Sequence, residues 1–307
     1  MIRTLMTAAA LAATLFSSAA LAQNEAIAEK NLLSGKDKID PASGYIFTSG
    51  PARQWIELLR LPDAEAIADY EKDWAKAFAL VRADYPGKLK NWEVHVLAAH
   101  RQGRKPKDKP IEPTAENFAI GPIEARQPVF IGPQYVFSKS ETPESVSYLM
   151  KVKPGRYVLY RQLSAPDNGL IGMCFCMGTI AFEVKPGVIT DMGDFLFAGP
   201  GRDPAFPERP DKAPGSEWGL YRPIGGGERP LVFGLPDTLK AYPSARADFR
   251  AYGKIDNFYG ITVGRLPPIA GVLAYDRDKI IDLKAAVAVP ASEAPVAAAP
   301  VAAAPGL

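Results

Sequence analysis

The residues with the most distinctive chemistry in this 307-residue chain lie together at positions 172–178. This segment contains both cysteines of the chain, Cys174 and Cys176, and two methionines, Met173 and Met177. Three interpretations fit it. The cysteines are small apolar residues of a strand, where alternation places both on one face. They form a local disulfide, which an oxidising compartment permits. Or they bind a soft metal such as Cu(I), helped by the thioethers.

The metal hypothesis makes a demand on local structure. In a strand, Met173 and Met177 would face away from the cysteines, so all four sulfur atoms converge only if the segment is a loop. No second cysteine-rich segment exists to complete a four-cysteine site, and the spacing is not the Cys-x-x-Cys of thioredoxin-like proteins. Copper is therefore the one cofactor that the sequence suggests, as an alternative to none.

Other candidate catalytic groups are weaker. The two histidines, His95 and His100, are five residues apart on a predicted helix, whereas metal ligands on one helix face would be three or four apart. Asp191 and Asp194 could act as an acid–base pair or bind calcium, but aspartates at the end of a strand are typical of turns. No Gly-x-Ser-x-Gly motif is present. We predict no catalytic residues and keep a hydrolase only as a third hypothesis.

The elements that would position these residues are mostly strands. The motif Val-Lys-Pro-Gly occurs at 152–155 and again at 184–187. Proline pre-sets φ for a turn, and glycine accepts the positive φ of a type II turn. Around the second motif, apolar residues alternate with others at Ile180, Phe182 and Val184, which is the period of a half-buried strand. The pattern predicts two β-hairpins in tandem and a mainly β fold, an antiparallel β-sandwich.

Residues 145–197 also resemble a known kind of domain. A strand, a Pro-Gly turn and a strand ending in Tyr-x-Leu are followed by Phe-x-Val-x-Pro-Gly and a strand ending in Gly-Asp. The matching residues are Pro154, Gly155, Tyr157, Leu159, Phe182, Val184, Pro186, Gly187, Gly193 and Asp194. This resembles the prealbumin-like and carboxypeptidase-regulatory-like sandwiches of bacterial envelope proteins of unknown function. The resemblance implies a fold and carries no catalytic residues.

Both ends of the chain differ in composition from the rest. Residues 1–22 have one cation, an apolar run and small residues at Ala20 and Ala22, which predicts a signal peptide cleaved after Ala22. The apolar run is too short to span a bilayer. The mature chain is therefore expected to be periplasmic or secreted, with no transmembrane segment. Residues 285–307 are almost entirely Ala, Pro and Val, which predicts a disordered tail.

Between these ends we expect one β-sandwich domain at 23–284 with a helical insertion at about 53–103. Aromatic and apolar residues recur at three- and four-residue steps from Ile67 to Tyr85 and again from Leu89 to Ala99. Pro86 lies between the two runs and predicts a helical hairpin. The basic, proline-rich segment 101–113 is interpreted as a solvated hinge. A further helix is predicted from a cap at Asp237 to about Tyr252, interrupted near Pro243.

The net charge and the long loops limit the classes of function that the sequence supports. The chain has 36 Lys and Arg against 34 Asp and Glu, and this near neutrality argues against a nucleic-acid partner and against binding to an anionic membrane surface. The Pro/Gly-rich segment 198–236 contains Trp218 and Tyr221 and is a candidate binding loop. The leading hypothesis is an exported, non-enzymatic β-sandwich that binds an envelope component or another protein. The alternative is copper binding or redox chemistry at Cys174 and Cys176.

Overall fold

A computed structural model describes residues 24–50, 55–141, 144–164, 171–196 and 230–287. The chain is mainly β, as predicted, and its sheets pack together. The predicted signal peptide, both Trp218 and Tyr221, and residues 288–307 of the predicted tail lie outside the described residues, so those inferences stay predictions.

Fifteen strands and three α-helices lie within the described ranges. The strands are β1 (Glu25–Ile27), β2 (Gly44–Gly50), β3 (Trp55–Arg60), β4 (Pro128–Ile131), β5 (Val136–Glu141), β6 (Glu144–Val152), β7 (Gly155–Ser164), β8 (Ile171–Cys174), β9 (Thr179–Val184), β10 (Ile189–Asp191), β11 (Ser244–Arg246), β12 (Arg250–Tyr252), β13 (Thr262–Val263), β14 (Leu273–Asp276) and β15 (Lys279–Asp282). The helices are α1 (Glu29–Leu33), α2 (Ala64–Arg101) and α3 (Leu283–Val287).

The strands form two large sheets and a small ribbon. The first sheet has the order β1-β6-β2-β10-β11, with β5 also paired to β6, and the second has the order β12-β9-β7-β3-β4, with β8 beside β7 and β13 beside β8. The ribbon is β14-β15. Most pairs are antiparallel, as expected, but β10 runs parallel to both β2 and β11, and β13 runs parallel to β8.

Three apolar clusters hold these layers. The main core lies between the two large sheets and includes Ile46, Leu58, Met150 and Phe182. A second cluster covers the outer side of the first sheet. The third, called the outer core below, covers the outer side of the second sheet and contains Leu59, Val158, Tyr160, Cys174, Cys176 and Ala181. Strands covered on both faces read as continuous apolar runs rather than alternating ones, as Tyr45-Ile46-Phe47 does.

The two Val-Lys-Pro-Gly motifs do not form hairpins, so that prediction was wrong. The first connects β6 of the first sheet to β7 of the second, and the other connects β9 of the second sheet to β10 of the first. Turns of types I and II splay the strands that flank them, unlike the primed turns that hairpins favour. Both motifs lie in arches between facing sheets. Gly187, with φ 71°, has the positive φ of a type II turn, whereas Gly155, with φ 146°, already begins β7.

The predicted helical hairpin is instead one continuous helix. α2 begins after Asp63, whose Oδ1 accepts a hydrogen bond from the Ala66 amide at 2.9 Å. It runs through Pro86 to Arg101, a length of 38 residues. Proline removes one N–H and crowds the preceding turn, at a cost of about 3 kcal/mol. The helix continues because its aromatic stripe is held on both sides of Pro86 by the segment that follows the helix.

Two predicted boundaries also change. Residues 55–60 form β3 inside the second sheet, so the insertion begins after Arg60 rather than at about residue 53. Asp237 starts only a 3₁₀ turn, Asp237–Leu239, which is followed by β11 and β12. Pro243 explains the second difference, because proline disfavours helical geometry in the residue before it.

Candidate functional site

A long helical arm is the most distinctive part of the described structure. The arm consists of α2 and the return segment 102–123, and it is inserted between β3 and β4, which are paired neighbours in the second sheet. At 1.5 Å per residue the helix is about 57 Å long. None of its 38 residues is buried by any part of the chain that the structure describes. Helices that stabilise a globular fold bury one face, so this helix serves another purpose.

The return segment fastens itself to the helix through backbone carbonyls. Residues 104–121, called the strap, run back along the aromatic stripe of α2, and four aromatic side chains donate hydrogen bonds to strap carbonyls. The pairs are Tyr70 Oη with Gly121 O at 2.9 Å, Trp74 Nε1 with Phe118 O at 3.3 Å, Tyr85 Oη with Pro110 O at 3.3 Å, and Trp92 Nε1 with Lys107 O at 2.8 Å. The strap thus satisfies the polar atoms of amphipathic rings and stiffens the helix along its length.

Arg60 joins the arm to the sandwich. This nearly buried residue ends β3, and its guanidinium pairs with Asp63 at the start of α2. Its Nη1 donates to Gln127 Oε1 at 2.7 Å, just before β4, and its Nε donates to Pro154 O at 3.0 Å in the first arch. A Cβ on Gly155 would lie 2.8 Å from Arg60 Nε, which explains the glycine there. One side chain therefore ties both ends of the arm to the junction between the sheets.

Charge is segregated along the arm. Residues 63–73 at its base contain five carboxylates and one lysine. The far end, residues 88–109, is called the tip and contains two carboxylates and seven exposed cations: Lys88, Lys90, Arg101, Arg104, Lys105, Lys107 and Lys109. Among the described residues, only Lys88 of these seven forms an ion pair, with Asp84 at 3.0 Å. The near neutrality of the whole chain conceals this strongly basic end.

Both histidines lie on α2 and are exposed. His95 Nδ1 lies 2.6 Å from the Asn91 carbonyl oxygen, a contact within the helix. Among the described residues, no group of three or more His, Cys, Asp or Glu side chains is arranged to hold a metal ion. The structure therefore places the histidines on the arm without bringing them together with other ligands.

Cys174 and Cys176 are joined in a disulfide with an S–S distance of 2.03 Å, which is the second of the three alternatives. The bridge lies in the outer core, where Cys174 is fully buried and Cys176 is 4% exposed. Met173 packs against the main core on the opposite face of the sheet, and Met177 is 39% exposed. The structure brings the two cysteine sulfur atoms together but does not bring Met173 to the same face.

Beside the disulfide lies a charged cluster that the sequence analysis missed. Glu57 of β3 is fully buried and pairs with Arg161 of β7, its cross-strand partner. Tyr259 Oη donates to Glu57 Oε1 at 3.0 Å, and the Arg161 guanidinium lies 4.0 Å from the centre of the Tyr259 ring. Burial raises the pKa of Glu57, and the Arg161 charge opposes that shift. Burial and the Glu57 charge raise the pKa of Tyr259.

A β-bulge positions this cluster. The pairing of β3 with β7 shifts register after Glu57, leaving Tyr160 as an extra residue in β7. Tyr160 belongs to the outer core and stacks on Phe258, whose amide donates to the Tyr160 hydroxyl at 2.9 Å. The sequence carried one signal for this cluster: Glu57 is the only charge within the apolar run at 55–59. A charge in a strand covered on both faces requires a buried partner.

The carboxylates of Asp191 and Asp194 both accept hydrogen bonds from backbone amides. Asp191 is nearly buried and accepts from Gly193 N at 2.7 Å and from Gly234 N at 2.9 Å. Asp194 Oδ1 accepts from Val232 N at 2.8 Å. Burial raises the pKa of Asp191, and the two amide donors oppose that shift. These contacts favour the turn role, because both oxygen atoms of Asp191 and the Oδ1 atom of Asp194 already accept backbone hydrogen bonds.

None of the helices in the described ranges is both long enough and apolar enough to cross a membrane. Comparison of the whole chain with family models, with curated proteins and with solved structures finds no match.

Proposed function

We propose that this chain is an exported, non-enzymatic β-sandwich protein that uses its arm to bind a component of the bacterial envelope. The signal-peptide pattern at 1–22 and the resemblance to envelope sandwiches support export and an envelope location. The arm supplies the binding element. No catalytic residue is part of this proposal.

One observation carries it: a helix of about 57 Å stands on the sandwich with none of its residues buried in the described structure. Conformational order has a cost of about 1–2 kcal/mol per residue, and an arm whose helix has no fully buried residue recovers little of it. The four hydrogen bonds from aromatic side chains nevertheless keep the arm ordered, which indicates a functional role. We infer that the arm reaches a partner at a distance from the sandwich.

The test removes the arm and keeps the sandwich. Trp74 and Phe118 face each other across the arm, so a short Gly-Ser linker can replace residues 75–117 without moving the base. Because these residues are unburied in the described structure, we expect the thermal unfolding transition of the variant to stay close to that of the intact protein. Binding to a washed bacterial envelope fraction, measured by co-sedimentation, should fall by about tenfold or more.

A matched control keeps the arm and changes its surface outside the tip. Lys72 is exposed on the same helix, and the Lys72→Gln variant should bind as the intact protein does. Retention of full binding by the variant that lacks the arm would contradict the proposed function.

A second candidate function uses the disulfide, as a redox centre or, when reduced, as a copper site. Cys174 is the cross-strand partner of Arg161, and partners in a ladder share a face of the sheet. A nearby guanidinium stabilises a thiolate, which is the reactive and metal-binding form of cysteine. Reduction by a dithiol transfers two electrons and two protons to the bridge and leaves the reductant as a disulfide. The resulting pair then binds one Cu(I) through two thiolates.

This candidate predicts a folded protein whose disulfide can be reduced. Treatment with a dithiol, followed by thiol labelling and intact-mass measurement, should give two labelled cysteines per chain while circular dichroism stays unchanged. Elemental analysis after anaerobic Cu(I) loading should give about one copper per chain, and Cys174→Ser should abolish it. A bridge that resists the dithiol until the protein unfolds would contradict this function, since the cysteines are buried.

A further inference from the structure

We propose that the tip of the arm binds the surface of an anionic phospholipid bilayer. This rests on the proposed function, because it names the envelope component that the arm would contact. The tip combines seven exposed cations with exposed aliphatic side chains, which is the combination that associates with acidic lipid headgroups.

The two kinds of residue are interleaved on one face of the helix. Lys90, Val94, Leu97 and Arg101 follow one another at steps of four, three and four residues, so they form a single stripe. Val94 is 58% exposed and Leu97 is 62% exposed. This stripe lies away from the strap, which covers the aromatic side of the helix. The aliphatic pair can enter the headgroup region while the flanking cations meet lipid phosphates.

The side chains of the tip favour lipid over nucleic acid. Single-stranded nucleic acid is bound by cations together with aromatic rings on which bases stack. Trp92 and Tyr85, the aromatic residues at this end of the helix, are half-buried and donate to the carbonyls of Lys107 and Pro110. The exposed apolar residues are instead aliphatic, and aliphatic side chains insert among lipids but do not stack on bases.

The acidic base of the arm does not cancel the field at the tip. Asp73, the last carboxylate of the base, precedes Lys88 by 15 residues, or about 22 Å of helix. The Debye length at physiological salt is about 8 Å, so charges this far apart are largely screened from one another. An anionic surface therefore attracts the tip, and the tip would meet the bilayer with the side of the helix that carries Lys90, Val94, Leu97 and Arg101.

The experiment uses the intact mature protein and vesicle flotation. Vesicles of phosphatidylcholine with about 30% phosphatidylglycerol should bind the protein, and vesicles of phosphatidylcholine alone should not. Neutralising Lys90, Arg101, Arg104 and Lys105 to glutamine should lower partitioning by about fivefold per charge removed, because each basic residue near an acidic surface contributes by about that factor. Raising the salt concentration should release the protein.

Matched variants separate the apolar contribution from a general loss of helix surface. Leu97→Ser should weaken binding severalfold, whereas Leu80→Ser, which changes a similarly exposed leucine outside the tip, should not. Equal binding to neutral and acidic vesicles, or unchanged binding by the glutamine variant, would overturn the proposal. Binding of an oligonucleotide through the same cations without vesicle binding would overturn it too, in favour of a nucleic acid.

The outcome is distinguishable from failure of the proposed function. If the arm is needed for binding to the envelope fraction but the protein does not bind acidic vesicles, the arm binds a protein or glycan, and only the lipid inference fails. If removal of the arm leaves envelope binding intact, the proposed function itself fails.

Discussion

Replacing Arg161 with methionine is expected to lower the free energy of unfolding by about 3–5 kcal/mol. Glu57 is fully buried, and Arg161 is its ion-pair partner. Methionine keeps the apolar stem but leaves the carboxylate without a countercharge, and an unpaired buried charge is among the costliest changes a fold can suffer. Equilibrium unfolding in urea gives the free energy directly.

Arg156→Met is the matched control for this substitution. Arg156 lies in the same strand but is exposed, with its guanidinium 5.4 Å from the Tyr252 ring centre, so its loss should cost less than about 1 kcal/mol. Adding Glu57→Gln to Arg161→Met should restore part of the lost stability, because the buried charge is then absent. Equal effects of Arg161→Met and Arg156→Met would show that the buried pair does not matter.

The effect of Arg161→Met should also depend on pH. The folded-state pKa of Glu57 is raised by burial, and removing the arginine raises it further. The folded state then holds a proton that the unfolded chain has released, so stability is greatest below the ordinary glutamate pKa and is lost as pH rises through the raised value. The difference between the wild type and the variant should therefore be smaller near pH 4 than near pH 8.

Asp191→Ala is expected to cost about 2–4 kcal/mol, because it removes the acceptor of two backbone amides. One amide, Gly193, belongs to the turn after β10, and the other, Gly234, belongs to the described segment that begins at residue 230. Both donors would lose their partner in a largely buried site. Urea unfolding should show the loss, and hydrogen exchange at Gly193 and Gly234 should accelerate.

Asp194→Ala supplies the comparison. Its Oδ1 accepts from the Val232 amide in an exposed setting, so its loss should cost less than the loss of Asp191. An Asp191→Ala variant with unchanged stability would contradict the turn role and return attention to chemistry at these carboxylates.

The alternation of apolar residues was enough to predict the mainly β fold, but it could not say which sheet each strand joins. Alternation reports which side chains are buried, and burial on one face is the same whether the next strand is a neighbour or lies across the core. The turn motifs carried part of the missing information. Turns of types I and II splay the strands that flank them, unlike the primed turns of hairpins, and both Val-Lys-Pro-Gly motifs lie in arches.

The continuity of α2 through Pro86 and the buried cluster were missed for different reasons. Pro86 was interpreted as an end, yet the half-buried positions continue at 85, 89, 92, 96 and 99 without a change of period, which indicated one helix. Glu57, Arg161 and Tyr259 are separated by about 100 residues from one to the next and meet only through strand pairing and a covering loop. No local pattern links such positions, so only the isolated charge at Glu57 was available from the sequence.

The position of Arg60 has a mechanical consequence. A force on the arm acts on β3 and β4 at the same end of the strand pair, where Leu59 pairs with Pro128. Two strands pulled apart from one end lose their hydrogen bonds one after another. Arg60 lies at that end, forms an ion pair with Asp63 and donates hydrogen bonds to Gln127 and to the carbonyl of Pro154. Pro154 lies in the arch between the two sheets. A force on the arm is therefore transmitted through Arg60 to both sheets, and the first hydrogen bonds between β3 and β4 carry less of it.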